Sequence, residues 1–197
     1  MSASMNIQEI QAAIEQALPG VKLKPVRETL RVEHPKQLPA VASFLKNSDT
    51  RLDYLSSLTG ADYLQYLECV YHLYSMEKKT GPLVLRVRVP RENPVLPSLV
   101  PVYRGAEYQE REAYDMFGFI FEGHPDPRRI FMWEGFEGYP MRKDYIPEDA
   151  DVLEMEDVEW LERHNVTVPN EYKEFAKQLK ASGKEARAQR PTEKEPA

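Results

Sequence analysis

Two consecutive runs near the middle of the chain, residues 67–73 and 83–89, place an apolar residue at every second position. The alternating residues are Leu67, Cys69, Tyr71 and Leu73 in the first run and Leu83, Leu85, Val87 and Val89 in the second. Because successive side chains of a β-strand point to opposite faces, each run predicts a strand with one buried face. The polar connector at residues 78–82 contains Gly81, which suits a turn, so the two strands are predicted to form an antiparallel hairpin.

Helical periodicity precedes this hairpin in two places. Asn6 and Glu9 have the spacing of a capping box, and the apolar residues after them recur every three or four positions until Pro-Gly at residues 19–20 ends the pattern. Residues 35–46 also carry their apolar residues on one helical face. The sequence therefore predicts two helices ahead of the central hairpin.

The segments that join these elements are less regular. Residues 21–23 and 30–32 alternate apolar and charged residues on either side of a break, which predicts a short hairpin. Residues 52–58 are ambiguous, and the sequence Thr-Gly-Ala-Asp at residues 59–62 predicts a turn.

A third helix is predicted at about residues 106–117. Gly118 follows it at the position where a left-handed C-cap requires glycine. Residues 119–121 are short, aromatic and apolar and are consistent with one more strand.

These elements predict an α+β fold: a two-layer domain of helices packed on a small mixed β-sheet, followed by an extended C-terminal strap and tail. We expect the α+β domain to span residues 1–122, including the third helix. We expect residues 123–181 to form an extended partner-binding segment with short helices. Residues 182–197 are charged, lack large apolar residues and are expected to be disordered.

Several classes of protein are excluded by simple features of the sequence. The apolar runs are far shorter than the ~20 residues that span a bilayer, so the chain is not an integral membrane protein. A single cysteine, Cys69, cannot form an internal disulfide or supply a thiolate-bound cluster alone. No glycine-rich phosphate loop and no close histidine pair occurs, which argues against nucleotide or metal binding by those means.

The third helix carries carboxylates that invite a catalytic interpretation. Glu107 and Asp115 each lie four residues from Arg111, so the spacing predicts a line of ion pairs along the helix, with Glu112 on nearly the same side. General acid–base catalysis by Glu110, Glu112 and Asp115 is the alternative. It is disfavoured because the adjacent guanidinium lowers carboxylate pKa values. We interpret this segment as a structural ion-pair helix.

The strap, residues 124–145, interleaves basic and aromatic side chains. Such a pattern can bind single-stranded nucleic acid, but four acidic residues cancel its four basic ones. Aromatic and arginine enrichment without net charge is typical of protein–protein contacts. The strap is therefore interpreted as a segment whose packing is completed by a second protein, and not by nucleic acid.

An acidic segment follows the strap at residues 148–162. It holds eight carboxylates and no lysine or arginine, whereas the whole chain has a net charge of −6. This segment is either a solvated face or a surface for a basic partner.

The run from residue 110 to residue 145 resembles the signature of the C-subunit family of respiratory NADH-quinone oxidoreductase (complex I). The matching positions are Glu110-Arg111-Glu112, Asp115-Met116-Phe117-Gly118, Phe121, Gly123-His124-Pro125, Arg128-Arg129, Gly138, Pro140 and Arg142-Lys143-Asp144-Tyr145. The chain departs from the family pattern at Pro127, Trp133, Tyr139 and Met141. None of these departures removes a charged residue of the signature.

The resemblance implies a cofactor-free scaffold subunit of the hydrophilic arm of a proton-translocating complex. It implies docking on the D subunit, which holds the quinone site, and a position near the B subunit. FMN, iron–sulfur clusters, NADH and quinone belong to the complex as a whole. Such a chain would lie at the cytoplasmic side of the bacterial inner membrane, peripheral and held there through the complex. The residues expected at the partner interface are His124, Arg128, Arg129, Trp133, Arg142, Lys143, Asp144 and Tyr145.

Three alternatives stay open at this point. The first is the equivalent scaffold subunit of a related ferredoxin-, deazaflavin- or hydrogenase-linked membrane complex. The second is an RNA-binding module that uses the strap, which the charge balance disfavours. The third is an independent hydrolase that uses the carboxylates between residues 110 and 115.

Overall fold

A computed structural model of the chain describes residues 6–133 and 135–145, together with residues 158–159, 162–163, 170, 173–174 and 177. The chain divides into two compact units, Met1–Tyr145 and Ile146–Ala197. The tail predicted at residues 182–197 lies outside the described residues, as does most of the acidic segment.

A five-stranded mixed sheet forms the centre of the first unit. Its strands are β1 (Leu23–Val26), β2 (Thr29–Val32), β3 (Tyr54–Asp62), β4 (Tyr66–Ser75) and β5 (Thr80–Pro90). The spatial order is β1-β2-β5-β4-β3, with β2 and β5 parallel and the other neighbours antiparallel. The β4–β5 hairpin predicted from the alternating runs is confirmed, and Leu67 pairs with Val89 on the apolar face.

Two helices cover this apolar face, α1 (Ile7–Ala17) and α2 (Leu38–Asn47), the latter preceded by a 3₁₀ turn at Pro35–Gln37. The predicted cap of α1 is confirmed, because the Asn6 side chain accepts the Gln8 N–H at 3.1 Å and donates to Glu9 at 2.8 Å. Leucine, isoleucine and valine side chains of helices and sheet form one continuous core. The α+β two-layer prediction is confirmed.

A smaller sheet and the third helix follow. Strands β6 (Val95–Pro97) and β7 (Ile120–Glu122) pair in parallel. Helix α3 (Ala106–Phe117) lies between them in sequence and packs against β3. The Gln109 side chain accepts the N–H of Leu58 at the free edge of β3. Since an open strand edge invites pairing with other chains, α3 protects this edge.

The turn predicted at residues 59–62 is wrong, because these residues continue β3. Gly60 pairs with Cys69 on the apolar face of the sheet, where the rings of Phe117 and Phe119 lie directly over it. A Cβ atom at this position would be 2.5 Å from Phe117 Cδ2 and 2.8 Å from Phe119 Cε2. The glycine is therefore required for close packing and not for a turn.

We expect Gly60→Ala to destabilise the fold by about 1–3 kcal/mol, because the new methyl group overlaps two aromatic rings in a packed core. Gly105→Ala is the matched control, since Gly105 has φ −66° and a Cβ there would have no atom within 4 Å. Urea denaturation followed by circular dichroism measures both variants. Equal free energies of unfolding for the two variants would contradict the packing role of Gly60.

Candidate partner-binding site

Asp115 is the main attachment point between α3 and the strap. Its fully buried carboxylate accepts the backbone N–H groups of Ile130, Phe131 and Met132 at 2.7–3.0 Å and the Arg129 guanidinium at 2.7 Å. Burial by itself would raise the pKa of Asp115, but these four donors outweigh it and lower the pKa. The carboxylate is therefore charged, and it orders a turn of the strap around itself.

Arg111, one turn earlier on α3, binds the strap from the other direction. Its Nε and Nη2 atoms donate to the backbone carbonyls of Arg128 and Arg129 at 2.9 and 3.0 Å. Its Nη1 atom lies 3.6 Å from a carboxylate oxygen of Asp126. A planar guanidinium can serve several acceptors at fixed angles, so Arg111 binds this part of the strap at several points.

The ion pairs predicted between residues of the same helix are therefore wrong, because the charged groups pair with the strap. Arg111 bonds to the strap instead of to Glu107 and Asp115, and Asp115 pairs with Arg129. The reason is that Asp115 is fully buried, whereas an i,i+4 pair on an exposed helix face contributes only about 0.2–0.5 kcal/mol. Glu112 is exposed on the surface of α3.

The C-terminal part of the strap is attached at the end of α3. Arg142 Nε donates to the Phe117 carbonyl at 2.6 Å, and its guanidinium lies 4.5 Å from the centre of the Tyr139 ring. Gly118 ends the helix with φ +78°, as predicted, and the Tyr139 ring lies against it. Arg142 thereby uses a helix-terminal carbonyl that has no partner within the helix.

A second buried carboxylate, Asp62 at the end of β3, holds the last residues of the strap. It accepts the Lys143 N–H at 2.8 Å and pairs with Arg91, and Arg91 also pairs with Asp144. The hydrogen bond from Arg91 is the main cause of a strongly lowered Asp62 pKa. The strap therefore ends on an ion-pair cluster with the sheet.

Glu110 differs from the other carboxylates of α3. It is fully buried and accepts the Ser98 hydroxyl and the Leu99 N–H, both at 2.6 Å. Burial raises the pKa of Glu110, against the lowering expected from its neighbour Arg111 in the sequence. The two side chains have different surroundings because Arg111 extends to the strap.

His124 begins the strap as a buried structural residue. Its Nδ1 accepts the Asp126 N–H at 3.0 Å, so Nε2 carries the proton and donates to the Glu107 carbonyl at 2.9 Å. Nε2 is also 3.9 Å from Glu110. His124 therefore joins the strap to α3 and is not exposed for contact with another protein.

A small pocket lies beside these residues. It has a volume of about 270 Å³ and apolar walls that include Phe119, Phe121 and Pro127, with Glu110 and His124 among its lining residues. This volume is below the ~300–1,000 Å³ typical of sites for drug-sized ligands. In the described part of the chain, no three His, Cys, Asp or Glu side chains are grouped as metal ligands.

The outer side of the strap carries large exposed apolar side chains. Trp133 is 67% and Phe131 61% exposed, and Ile130 and Met141 are exposed as well. Of the residues predicted for a partner interface, Arg128 and Trp133 are on this outer side, whereas His124, Arg129 and Arg142 bind the domain itself. The exposed side chains of Ile130 and Met141 and the Asp62–Arg91 pair were not among the residues predicted for the site.

We expect the fold to lose stability in acid through Asp62 and Asp115. Both pKa values lie below the ordinary 3.8 in the folded chain, so the unfolded chain binds more protons as the pH falls. The stabilisation is present above pH 3.8 and is lost progressively as the pH falls through 3.8 and below it. Urea denaturation between about pH 7 and about pH 3 measures this loss. Asp62→Asn should show a shallower pH dependence, and an unchanged dependence would contradict the assignment.

The structure contains no helix, among the residues it describes, that is long and apolar enough to cross a membrane.

Comparison with known proteins gives consistent matches. A family model described as the 30 kDa subunit of respiratory-chain NADH dehydrogenase matches residues 31–151.

Curated relatives agree with that family. The C 2 subunit of NADH-quinone oxidoreductase from Rhizobium meliloti is 46% identical over 118 residues, which are 56% of this chain and 62% of that protein. The C subunit of the same enzyme from Roseiflexus castenholzii is 42% identical over 140 residues, 68% of this chain and 79% of the relative. The chain thus covers less than two thirds of the Rhizobium meliloti protein.

Solved structures share the fold. A trypsin-resistant fragment of Nqo5 is 28% identical, with a TM-score of 0.50 over 62% of this chain and 99% of the fragment. One chain of an archaeal membrane-bound sulfane sulfur reductase is 24% identical, with a TM-score of 0.59 over 82% of this chain and 92% of its own length, and shows the fold alone. Since the family model matches more than half of its residues, the chain belongs to the 30 kDa, or C-subunit, family of respiratory NADH-quinone oxidoreductase.

Proposed function

We propose that the chain is a cofactor-free scaffold subunit in the hydrophilic arm of a proton-translocating NADH-quinone oxidoreductase. Its strap docks on the D subunit, which holds the quinone site, near the B subunit, and its outer apolar side chains make the contact. The chain is peripheral, at the cytoplasmic side of the bacterial membrane, and is held there by the other subunits. The redox chemistry, with FMN, iron–sulfur clusters, NADH and quinone, takes place on the partners.

The observation that carries this proposal is the exposure of the strap. Ten large hydrophobic side chains are exposed among the described residues. Four of them lie in one twelve-residue stretch of the strap: Ile130, Phe131, Trp133 and Met141. Concentrated exposed apolar surface marks a protein–protein contact, and tryptophan is enriched among residues that dominate binding energy.

The inner side of the strap supports the same conclusion. Asp115, Asp62 and Arg111 fix its backbone before any partner binds. A segment without helix or strand that is already ordered loses less conformational entropy on association than a flexible one. The strap is therefore a preorganised docking element.

Cys69 fits a subunit without its own cluster. It is buried in the core, and burial raises the pKa of its thiol to about 12. Since metal clusters bind the thiolate, this residue is unsuited to ligate iron.

Trp133→Ala tests the docking role. We expect a tagged variant to recover the D and B subunits from detergent-solubilised membranes with about 30-fold weaker affinity than the unaltered chain, the effect of losing an anchor worth ~2 kcal/mol. The melting temperature should change little, because the indole is mostly exposed. Met76→Ala is the matched control, as Met76 is 59% exposed in the turn between β4 and β5.

Normal recovery with Trp133→Ala, or recovery of the unaltered tagged chain as an isolated monomer, would refute the proposal. The identity of the other recovered subunits separates the alternatives. Flavin- and NADH-binding subunits indicate an NADH-quinone oxidoreductase. Hydrogenase, ferredoxin-dependent or deazaflavin-dependent subunits indicate a related complex.

A further inference from the structure

The central sheet has a second face, opposite to the one that α1 and α2 cover. Side chains alternate along each strand, so Leu67 and Cys69 of β4 point into the core while Glu68, Val70 and His72 point to this outer face. Helices α1 and α2 contribute their buried side chains to the core on the apolar face. The outer face therefore presents its own side-chain surface.

Cationic side chains line this outer face across three strands. Lys24 of β1 pairs in register with Arg31 of β2, and Arg31 pairs with Arg86 of β5. Arg88, two residues further along β5, points the same way. Directly paired residues on one face lie about 4.5–5.5 Å apart at Cβ, so Lys24, Arg31 and Arg86 form a continuous basic row, and Arg88 extends it along β5.

A buried carboxylate holds two of these arginines in place. Glu68 on the neighbouring strand accepts Arg86 Nη1 at 2.9 Å and Arg88 Nε at 2.8 Å, and its side chain is only 1% exposed. The Arg88 guanidinium also lies 4.3 Å from the centre of the Tyr66 ring. The guanidinium groups are therefore fixed in direction, which reduces the entropy lost when they bind.

The outer face is positive although the chain is negative overall. This face carries four cationic side chains, Lys24, Arg31, Arg86 and Arg88, and two anionic ones, Glu33 and Glu68. Its local charge is therefore +2, whereas the chain has a net charge of −6. The hydrogen bond from Arg31 lowers the pKa of Glu33, and the charges of Arg31, Lys24 and Arg88 lower it further. The basic row therefore produces a positive potential at its own surface.

Two polar atoms on this face have no hydrogen-bond partner. Arg86 Nε and His72 Nδ1 are both buried and unpaired. The two residues are diagonal neighbours, since Arg86 pairs with Val70 and His72 is two residues further along β4. Buried polar atoms normally find a partner, so the donor Arg86 Nε marks a place where an acceptor is missing.

We propose that the outer face of the sheet, centred on Lys24, Arg31, Arg86 and Arg88, is a second docking surface that binds a carboxylate-rich segment of another protein. Carboxylates supply the negative charge that complements the basic row and the acceptor oxygens that its guanidinium groups require. This surface is formed by the sheet and not by the strap, so it does not depend on the function proposed above.

Nucleic acid is the competing ligand for a surface with arginines and tyrosines. The two interspersed carboxylates and the overall charge of −6 oppose phosphate binding, which rests on several neutralised phosphates. An acidic protein segment has a lower density of negative charge than a nucleic acid, so it suits a face with a net charge of +2. The acidic protein segment is therefore the assigned occupant, and RNA becomes an outcome of the test.

The experiment is a fluorescence-anisotropy titration of the full chain with a labelled peptide that alternates glutamate and threonine over about ten residues, at low salt to limit screening. We expect saturable binding that Lys24→Glu weakens about tenfold, because a charge in the basic row is reversed. Lys36→Glu, the same change at an exposed position in the 3₁₀ turn before α2, should leave the affinity unchanged.

Three outcomes would overturn the proposal. The peptide does not bind at low salt, the two lysine variants weaken binding equally, or a ten-nucleotide single-stranded RNA binds more tightly than the peptide. Lys24→Gln serves as a second variant if Lys24→Glu lowers the melting temperature. Lys24→Gln removes the charge without reversing it, so it should cost about half the binding free energy that Lys24→Glu costs. The peptide should therefore bind about threefold more weakly to Lys24→Gln than to the unaltered chain.

Discussion

Asp115→Ala should destabilise the chain by about 3–5 kcal/mol, the cost of removing one partner of a buried ion pair. The substitution leaves three strap N–H groups and the Arg129 guanidinium without their acceptor. Each buried donor left without an acceptor costs about 1–3 kcal/mol. We expect less than the sum for all four donors, because water can partly enter at the strap. Urea denaturation followed by far-ultraviolet circular dichroism measures the free energy of unfolding.

Glu112→Gln is the matched control for this experiment. Glu112 lies on the same helix within one turn of Asp115, but its side chain is exposed. We expect a change within about 0.5 kcal/mol, as for most surface substitutions. A loss with Asp115→Ala as small as that of the control would show that the strap is not anchored through this carboxylate.

Gly118→Ala has the second largest expected effect, about 2–4 kcal/mol. Part of this cost is the left-handed backbone, φ +78°, which disfavours a residue with a Cβ by about 1–2 kcal/mol. The rest arises because the Cβ would be 2.5 Å from Tyr139 Cε2 and 2.7 Å from Arg142 Nη2. Both side chains belong to the strap, so the methyl group would also push the strap away from the end of α3.

Gly123→Ala separates these two contributions. Gly123 has nearly the same backbone, φ +82°, but a Cβ there would have no atom within 4 Å. The difference between the two variants in free energy of unfolding therefore reports the packing of the strap on Gly118. We expect a difference of about 1–2 kcal/mol, the low end of overpacking costs. No difference would mean that Tyr139 moves aside without cost.

Local signals were sufficient for most helices and strands. The alternation in β4 and β5, the cap of α1 and the glycine after α3 each involve residues within a few positions of one another. Gly60 shows where this approach fails. This residue was interpreted as part of a turn. A glycine is needed there because two phenylalanine rings, almost sixty residues later in the chain, leave no room for a Cβ atom.

Several residues of the candidate site have partners in the structure that differ from the predicted ones. Arg129 and Arg142 were expected to reach another subunit, and they bind Asp115 and the end of α3 instead. Spacing along a helix predicts which charges could pair, but burial decides which pairs form. Asp115 becomes a strong acceptor only after the strap has removed it from water.

The signature between residues 110 and 145 was enough to establish the family, because it is a pattern of residue types in a fixed order. The alternating runs likewise determined a sheet with one apolar face, since strand periodicity is a local property. Only the tertiary structure decided which side of the strap faces its own domain and which side remains exposed. That choice depends on contacts between residues as far apart as Asp62 and Lys143, which no local pattern encodes. The run that identifies the family is therefore mainly a set of internal attachments, and its exposed side includes large apolar side chains.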